Sequence, residues 1–492
     1  MDIGIKSEKK QLHIAIDMTP YIPGGANGGV VNALFSTITC LLNRDIDITV
    51  LTTSQNYGAL EFLEKKGVKR FDVSKPFIET EKETPAVSVS MVPDTTCNNN
   101  KQKVSVSGIL IKIIKKLFWI IRKLIKMLLP HFVVVLILKH WFLFQHGADK
   151  VRQAAASLKR AETGQIEPRP EVQEVTTQTK KSIRPEVKAL TLFLDNYVDV
   201  LYCPFSAIPD NDSDIPCVSV VNDIQHKYMP YNFSPEEISV RDKFYSRLVS
   251  KNPYILAISD YTRKSFIETY SYPSDRIETL YLVSQDRFKD YSEHDLKKAI
   301  DKLKLKPGSY IYYPANNWPH KNHRSLLVAF RMFKERNPEL DIKLILTGAV
   351  SNSIHEISIG DSIKMLGLDK CVSHLGYVSD LEVGALLKYC RFLVFPSYFE
   401  GLGLPLVEAM AMGSTIIASN VTSLPEVGGK GAFYCNPYDP KSICSSMEYV
   451  IAHPSEAEEK KKNYDALMKR FFEENYIDTL ISVLERVRKE KA

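Results

Sequence analysis

Two carboxylates beside a glycine turn pose the first chemical question. In FPSYFEGLGLPLVEAMAMG (395–413), Glu400 and Glu408 lie eight positions apart, and Gly401, Leu402, Gly403 and Leu404 follow the first of them. Pro405 has the place of a first-turn helix proline, and Gly413 that of the glycine that ends a helix. The turn therefore puts free backbone N–H groups at a helix N-terminus, a natural cradle for phosphate. A glutamate complementing the helix dipole would explain one acid but not the G-x-G turn. Since a carboxylate repels phosphate, both acids are expected to face hydroxyl groups. Glu408 suits the adjacent hydroxyls of a ribose, and Glu400 those of a second sugar. Sugar, phosphate and sugar in series make a nucleotide sugar.

Other segments carry weaker chemistry. GGANGG (24–29) includes Gly28 and Gly29 but is not the G-x-G-x-x-G of dinucleotide binding, and a plain turn is the alternative. VVNDIQHKYMPYNFSPEE (220–237) brings Asp223 and His226 to the tip of an apolar strand, where cleft residues belong. DNDSD (210–214) lacks the glycine and distal glutamate of a calcium loop and reads as a solvated turn. His320 and His323 flank Lys321 in PHKNH with no evident third ligand, so no metal site is expected.

These residues need a frame to bring them together. QLHIAID (11–17) and DITVLTT (47–53) read as strands around a turn and a helical stretch, and DVLYCPF (199–205), IPCVSVVND (215–223) and YILA continue the pattern. From about residue 308 a second series begins with YIYYPA, then KLILTGA, RFLVFP and STIIAS, each separated by helical sequence. Ser379 and Glu382 have the spacing of a capping box. Strands alternating with helices twice over imply an α/β chain of two doubly wound domains facing a cleft. The expected divisions are 1–285, 286–465 and a C-terminal helix at 466–492.

Composition fits a globular chain: 492 residues, 44% hydrophobic and 25% charged. The formal charge of +6 is uneven, because residues 101–188 hold 18 Lys/Arg against 6 Asp/Glu and the remainder is net acidic. Eight scattered cysteines without a C-x-x-C pair argue against a disulfide framework or structural zinc and for a reducing compartment. No apolar run precedes a cleavage site near the N-terminus, so no signal peptide is expected. The excess charge sits in an insertion at about 78–188. Within it, ILIKIIKKLFWIIRKLIKMLL (109–129) gathers Lys112, Lys115, Lys116, Arg122, Lys123 and Lys126 on one helical arc, with Trp119 beside them. So many cations oppose spanning a bilayer, whereas lying in the interface puts them at anionic head groups. The segment 109–144 is expected to associate with a membrane surface; a buried domain helix or partner-binding helix is the alternative.

FPSYFEGLGLPLVEAMAMG, with IIASNVTSLPEVGGKGAFYCNPYDP, HLGYVSDLEVGALLKYC and YPANNWPHKNHRSLLVAF, resembles the E-x7-E signature and donor domain of the retaining glycosyltransferases of family 4. The resemblance spans 308–445 and implies the GT-B fold of two Rossmann-like domains. It implies that Lys321 pairs with the donor diphosphate, and that Gly28 and Gly29 face the phosphates and acceptor. An arginine common six residues before that lysine is Ala315 here, so its contact is absent or passes to Asn316, Asn317 or His320. Asp223 and His226 match an H-D-L-Q-H segment whose first histidine is Asn222 here; His226 either touches the donor sugar or is structural.

The implied function is retaining transfer of a sugar, mannose by resemblance, from a nucleotide donor. Glu400, Lys321, His226 and Asp223 are the catalytic candidates. Glu408, Gly401–Leu404, Asn316, Gly28 and Gly29 join Lys321 as donor-binding candidates. Front-face departure and attack is expected, with a covalent intermediate on Asp223 as the alternative. No cofactor beyond the nucleotide-sugar co-substrate and no nucleic-acid partner are expected. The amphipathic segment points to a lipid-linked or membrane-anchored glycan acceptor in cell-surface polysaccharide assembly, at the cytoplasmic face of a membrane and alongside other assembly enzymes. A soluble transferase or a non-catalytic GT-B scaffold are the other readings.

Overall fold

The computed structural model describes residues 11–21, 29–74, 185–283, 285–349 and 358–490. The expected membrane segment 109–144, with Lys112, Lys115, Lys116, Trp119, Arg122, Lys123 and Lys126, lies outside the described residues, as does Gly28.

Two wholly parallel sheets form the frame. The first has the strand order β3-β2-β1-β4-β5-β6-β7, made of β1 (His13–Asp17), β2 (Asp47–Thr52), β3 (Lys69–Asp72), β4 (Val200–Cys203), β5 (Cys217–Val221), β6 (Tyr254–Ala257) and β7 (Ile277–Thr279). The second has the order β10-β9-β8-β11-β12-β13, made of β8 (Tyr310–Pro314), β9 (Lys343–Thr347), β10 (Val372–His374), β11 (Phe392–Phe395), β12 (Ile416–Ser419) and β13 (Ala432–Cys435). Parallel strands are covered by helices on both faces, so their sequences are runs of apolar residues rather than alternations. FLVF in β11 and IIAS in β12 are buried at every position.

The strand β8 is an instructive case because its YIYY core is rich in hydroxyls. Tyr310, Tyr312 and Tyr313 are all fully buried. Each hydroxyl has a partner: Tyr310 donates to the Leu386 carbonyl at 3.0 Å, Tyr312 meets Thr347 Oγ1 at 2.8 Å, and Tyr313 donates to the Lys321 carbonyl. Buried rings thus satisfy their polar ends, and the third bond ties the core of the second sheet to the loop that carries Lys321.

The strand β7 closes the first sheet, and the helix Glu293–Lys302 packs on Asp380–Tyr389 of the second domain. Residues 185–188, expected to end the insertion, begin the helix Pro185–Tyr197, which buries Ala189, Leu190, Phe193 and Leu194 in the first domain. The C-terminal helix Glu473–Lys489 returns to the first domain, packing on β4, β5 and the helix Gly29–Leu42. Tyr476 meets Tyr202 hydroxyl to hydroxyl at 3.2 Å, and Arg486 reaches Glu278 at 3.1 Å. The chain therefore passes between the domains twice, and the two passages touch. Tyr281 of the first packs edge-on against Phe471 of the second at 5.3 Å, and the Arg470 guanidinium lies 5.3 Å from the Tyr281 ring centroid.

Candidate functional site

In the second sheet the chain leaves β8 toward β9 on one side and β11 toward β12 on the other, so the β8/β11 pair is a switch point. Crevices outside the carboxyl ends of strands at such points bind ligands in open α/β sheets. The loop after β8 carries Lys321, and the loop after β11 carries Glu400. The two side chains meet: Lys321 Nζ donates to Glu400 Oε1 at 2.6 Å, and they are 14% and 10% exposed. Lys321 also lies 5.5 Å from the centroid of Phe395, the last residue of β11. Backbone bonds hold the pair in register, with Tyr398 N donating to the His320 carbonyl at 2.8 Å and Glu400 N to Thr422 Oγ1 at 3.1 Å.

The glycine turn is anchored from behind. Ser423 Oγ donates to the carbonyls of Glu400 at 3.0 Å and Leu402 at 2.9 Å. Ser259 Oγ and Thr262 Oγ1, from the first domain, donate to the Gly401 carbonyl at 2.6 and 3.1 Å. A Cβ on Gly401 would stand 2.1 Å from the Asn222 carbonyl oxygen, so only glycine permits this approach of the domains. Gly403 has φ +100 and precedes the helix Leu404–Ala411, with Pro405 in its first turn and Gly413, at φ +72, just past its end. The same face holds a second clasp: Glu426 accepts from Asp260 N and Tyr261 N at 2.8 and 3.0 Å and from the Tyr281 hydroxyl at 2.7 Å.

Glu408, 6% exposed in that helix, has a partner absent from any motif. Arg287 Nη1 donates to Glu408 Oε1 at 2.6 Å and Arg287 Nη2 to Asp380 Oδ1 at 2.6 Å. Burial raises the Glu408 carboxyl above its ordinary pKa, and Arg287 works against that rise. Arg287 belongs to the interdomain passage, 121 positions from Glu408, and a reading by local spacing had no means of finding it.

The other expected residues are placed differently. Asp223 Oδ1 accepts from Gln225 N at 2.9 Å, starting the short helix Gln225–Tyr228, and its Cβ lies 3.2 Å from the position of a Gly401 Cβ. The His226 side chain is 0% exposed, as in the structural alternative, with Nε2 3.3 Å from Asp242 Oδ1 and its ring stacked on Tyr245 at 5.1 Å. Burial lowers its pKa. It faces the helix Pro235–Lys251 and offers no surface to the cleft. Asn222, in contrast, has a buried Oδ1 with no partner among the described residues. Ala315 is 7% exposed and Gly348 closes over it, since a Cβ there would stand 2.4 Å from the Ala315 oxygen. Asn316 Oδ1 accepts from Ala349 N at 2.8 Å, which holds that turn in place. Gly29 opens the helix Gly29–Leu42. Burial lowers the pKa values of His320 and His323 to about 3, so both are neutral near pH 7.

Residues 295–466 match the family model described as glycosyl transferases group 1. The O-antigen chain mannosyltransferase B of Escherichia coli is 29% identical over 230 residues, 47% of this chain and 60% of that protein. The O-antigen chain mannosyltransferase RfbU of Salmonella typhimurium is 27% identical over 247 residues, 50% of this chain and 64% of its own length. Each match thus covers less than two thirds of the relative. Among solved structures, Anabaena HepE in complex with UDP superposes with a TM-score of 0.59 at 15% identity, covering 97% of this chain and 100% of that one. WaaG, a glycosyltransferase involved in lipopolysaccharide biosynthesis, superposes with a TM-score of 0.54 at 12% identity, covering 96% and 98%. The fold is GT-B.

Proposed function

We infer that this GT-B chain, whose residues 295–466 form a group 1 glycosyl transferase domain, transfers a sugar from a nucleotide-sugar donor to a growing glycan. The observation that carries the reading is the Lys321–Glu400 pair at the β8/β11 switch point, 2.6 Å apart beside a glycine turn that leads into the helix of Glu408. One cation and one carboxylate at the same crevice suit a ligand that alternates phosphate with hydroxyls.

In the proposed reaction the bond from the sugar C1 to the diphosphate oxygen breaks, and its electron pair leaves with the nucleoside diphosphate. Lys321 and the N–H groups of Gly401–Leu404 take up that charge as it develops, so the step calls for no metal. An acceptor hydroxyl attacks C1 from the face the diphosphate leaves and passes its proton to the departing diphosphate oxygen, so the new C–O bond forms with retention of configuration. Glu400 orients the donor sugar, and the unpartnered Asn222 Oδ1 suits one further donor hydroxyl. Glu408 reads the ribose. Asp223 is engaged in capping at 2.9 Å, which favours front-face attack over a covalent intermediate on that residue.

The relatives named for O-antigen chain mannosyltransfer make mannose the proposed sugar and a cell-surface polysaccharide the proposed product. No helix among the described residues is long and apolar enough to cross a membrane. Peripheral attachment to an anionic membrane through 109–144 and a lipid-linked acceptor remain part of the proposal, resting on sequence.

The test is release of nucleoside diphosphate from GDP-mannose, UDP-glucose and related donors, with chelator present and absent. Turnover of one donor that survives chelation and is lost in Lys321→Ala and Glu400→Gln is expected. A full panel without turnover would overturn the transferase reading in favour of a binding scaffold.

A further inference from the structure

A second concavity lies away from both ion pairs. Its volume is about 410 Å³, and its walls include Tyr231 and Asn232 of the first domain and Trp318, Arg324, Tyr398 and Tyr438 of the second. None of Lys321, Glu400, Glu408 or Arg287 lines it. Its size falls in the roughly 300 to 1,000 Å³ range of small-molecule sites.

The lining has a distinct chemistry. Tyr231, Trp318 and Tyr438 leave 75%, 49% and 63% of their surfaces open, a costly display for rings with nothing to cover them. Tyr438 is held in place by stacking on Tyr398 at 4.9 Å and 23°, and the Tyr398 hydroxyl is fixed by Ser325 at 3.0 Å. Asn232, Asn317 and Arg324, residues with planar hydrogen-bonding side chains, are also among its lining residues. Among the described residues no carboxylate lines the groove, and Arg324 has no ion-pair partner. His323, 5% exposed, also lines it. Its neutral ring faces the Ala315 carbonyl, yet neither nitrogen makes a well-formed hydrogen bond among the described residues.

Flat aromatic faces beside amide and guanidinium donors match the two sides of a hexose ring, whose axial C–H groups are apolar and whose rim is hydroxyl. Nucleobases also stack, but the ribose-suited Glu408 is not among the lining residues. The groove also adjoins the reaction crevice in sequence, since Trp318 stands three residues before Lys321 and Tyr398 two before Glu400.

We propose that the groove lined by Tyr231, Trp318 and Tyr438 is a saccharide subsite that holds the body of the glycan chain while its end is extended. The role in extension rests on the transferase reading; the binding of saccharide does not. Residues of both domains line the groove.

The test uses the full chain and α-linked mannotriose, without donor, followed by isothermal titration and by saturation-transfer NMR. Trp318→Ala and Tyr438→Ala are expected to weaken binding by at least about fivefold each, as loss of a stacking face implies. Trp318→Phe, which restores a ring, is expected to stay within about threefold of the parent. Equal affinity in parent and alanine variants, or no binding to the parent, overturns the subsite. Binding lost only in variants that also lose their far-ultraviolet circular dichroism is checked by Trp318→Phe, whose retention of both fold and affinity supports it and whose loss of affinity in a folded chain overturns it. Mannotriose binding without turnover of any donor would instead remove the transferase reading and leave the subsite standing.

Discussion

Replacing Arg287 by alanine isolates one electrostatic linkage and has a calculable cost. Glu408 Oε1 and Arg287 Nη1 are 2.6 Å apart, with side chains 8% and 34% exposed. Removing one partner of a buried pair costs ~3 to 5 kcal/mol, because the remaining charge is left without compensation. Arg287 is a third exposed, so water enters where it stood, and the low end, ~3 kcal/mol, is the expected loss. The pH dependence has a definite sign. Burial already holds the Glu408 carboxyl above its ordinary pKa, and without Arg287 it rises further. Between the unfolded and folded values the native state binds more protons than the unfolded one, so stability falls as pH rises through that window. Arg287→Ala is therefore expected to lose most stability above neutral pH and least near pH 4. Glu408→Gln in the Arg287→Ala background should restore much of the loss, since an amide costs less to bury than an unpaired charge. The assay is urea unfolding of the parent, both single variants and the double variant at pH 5 and pH 8, read as a double-mutant cycle. A loss below ~1 kcal/mol at pH 8, or no recovery in the double variant, would refute the reasoning.

Three further outcomes follow from the geometry. Asp17, 1% exposed and raised by burial to about 6 against hydrogen bonds from Thr19, carries a cost that is absent below the unfolded carboxylate range and complete above pH 6. Asp17→Asn should raise the thermal midpoint at pH 8 by the equivalent of up to ~3 kcal/mol and leave it little changed at pH 4, as differential scanning fluorimetry would record. Gly401→Ala drives a methyl to 2.1 Å from the Asn222 oxygen, so nucleoside diphosphate release should fall at least about tenfold, measured on the donor the parent accepts. Glu426→Ala removes the carboxylate bonds to Asp260 N, Tyr261 N and the Tyr281 hydroxyl; ~1 to 2 kcal/mol of stability should go with that helix cap, together with a broader interdomain distance distribution by spin-label measurement.

The readability of this molecule from its sequence divides along physical lines. The buried parallel strands announce themselves as apolar runs, which is why β8, β11 and β12 and the loops on their tips were legible. Pro405, Gly413 and the Ser379–Glu382 capping box are local devices, and the structure has all three where the spacing put them. That Lys321 and Glu400 touch was not legible, because both had been assigned separate parts of a ligand. Only the strand order, with β8 beside β11, brings their loops together. Arg287 was hidden for the same reason. The two readings of His226 stayed open because its partner Asp242 sits on Pro235–Lys251, a mostly polar helix whose buried residues are only Tyr245 and Leu248. The return of Glu473–Lys489 to the first domain depends on packing around Tyr202 and Tyr476, and helical periodicity reports a face without naming what covers it.

The double passage of the chain between domains restricts how the cleft can move. A single connecting strand would let the two halves bend, swivel and slide. Two connections lying side by side, pinned by Tyr281 against Arg470 and Phe471, behave like a leaf hinge, free to fold along one axis and stiff against twist. Arg287 rides on one leaf of it. The turn Gln285–Phe288 packs on the helices that carry Glu408 and Asp380, and the Arg287 guanidinium bonds to both carboxylates, so the hinge is riveted to the second domain at the very carboxylate proposed to read the ribose.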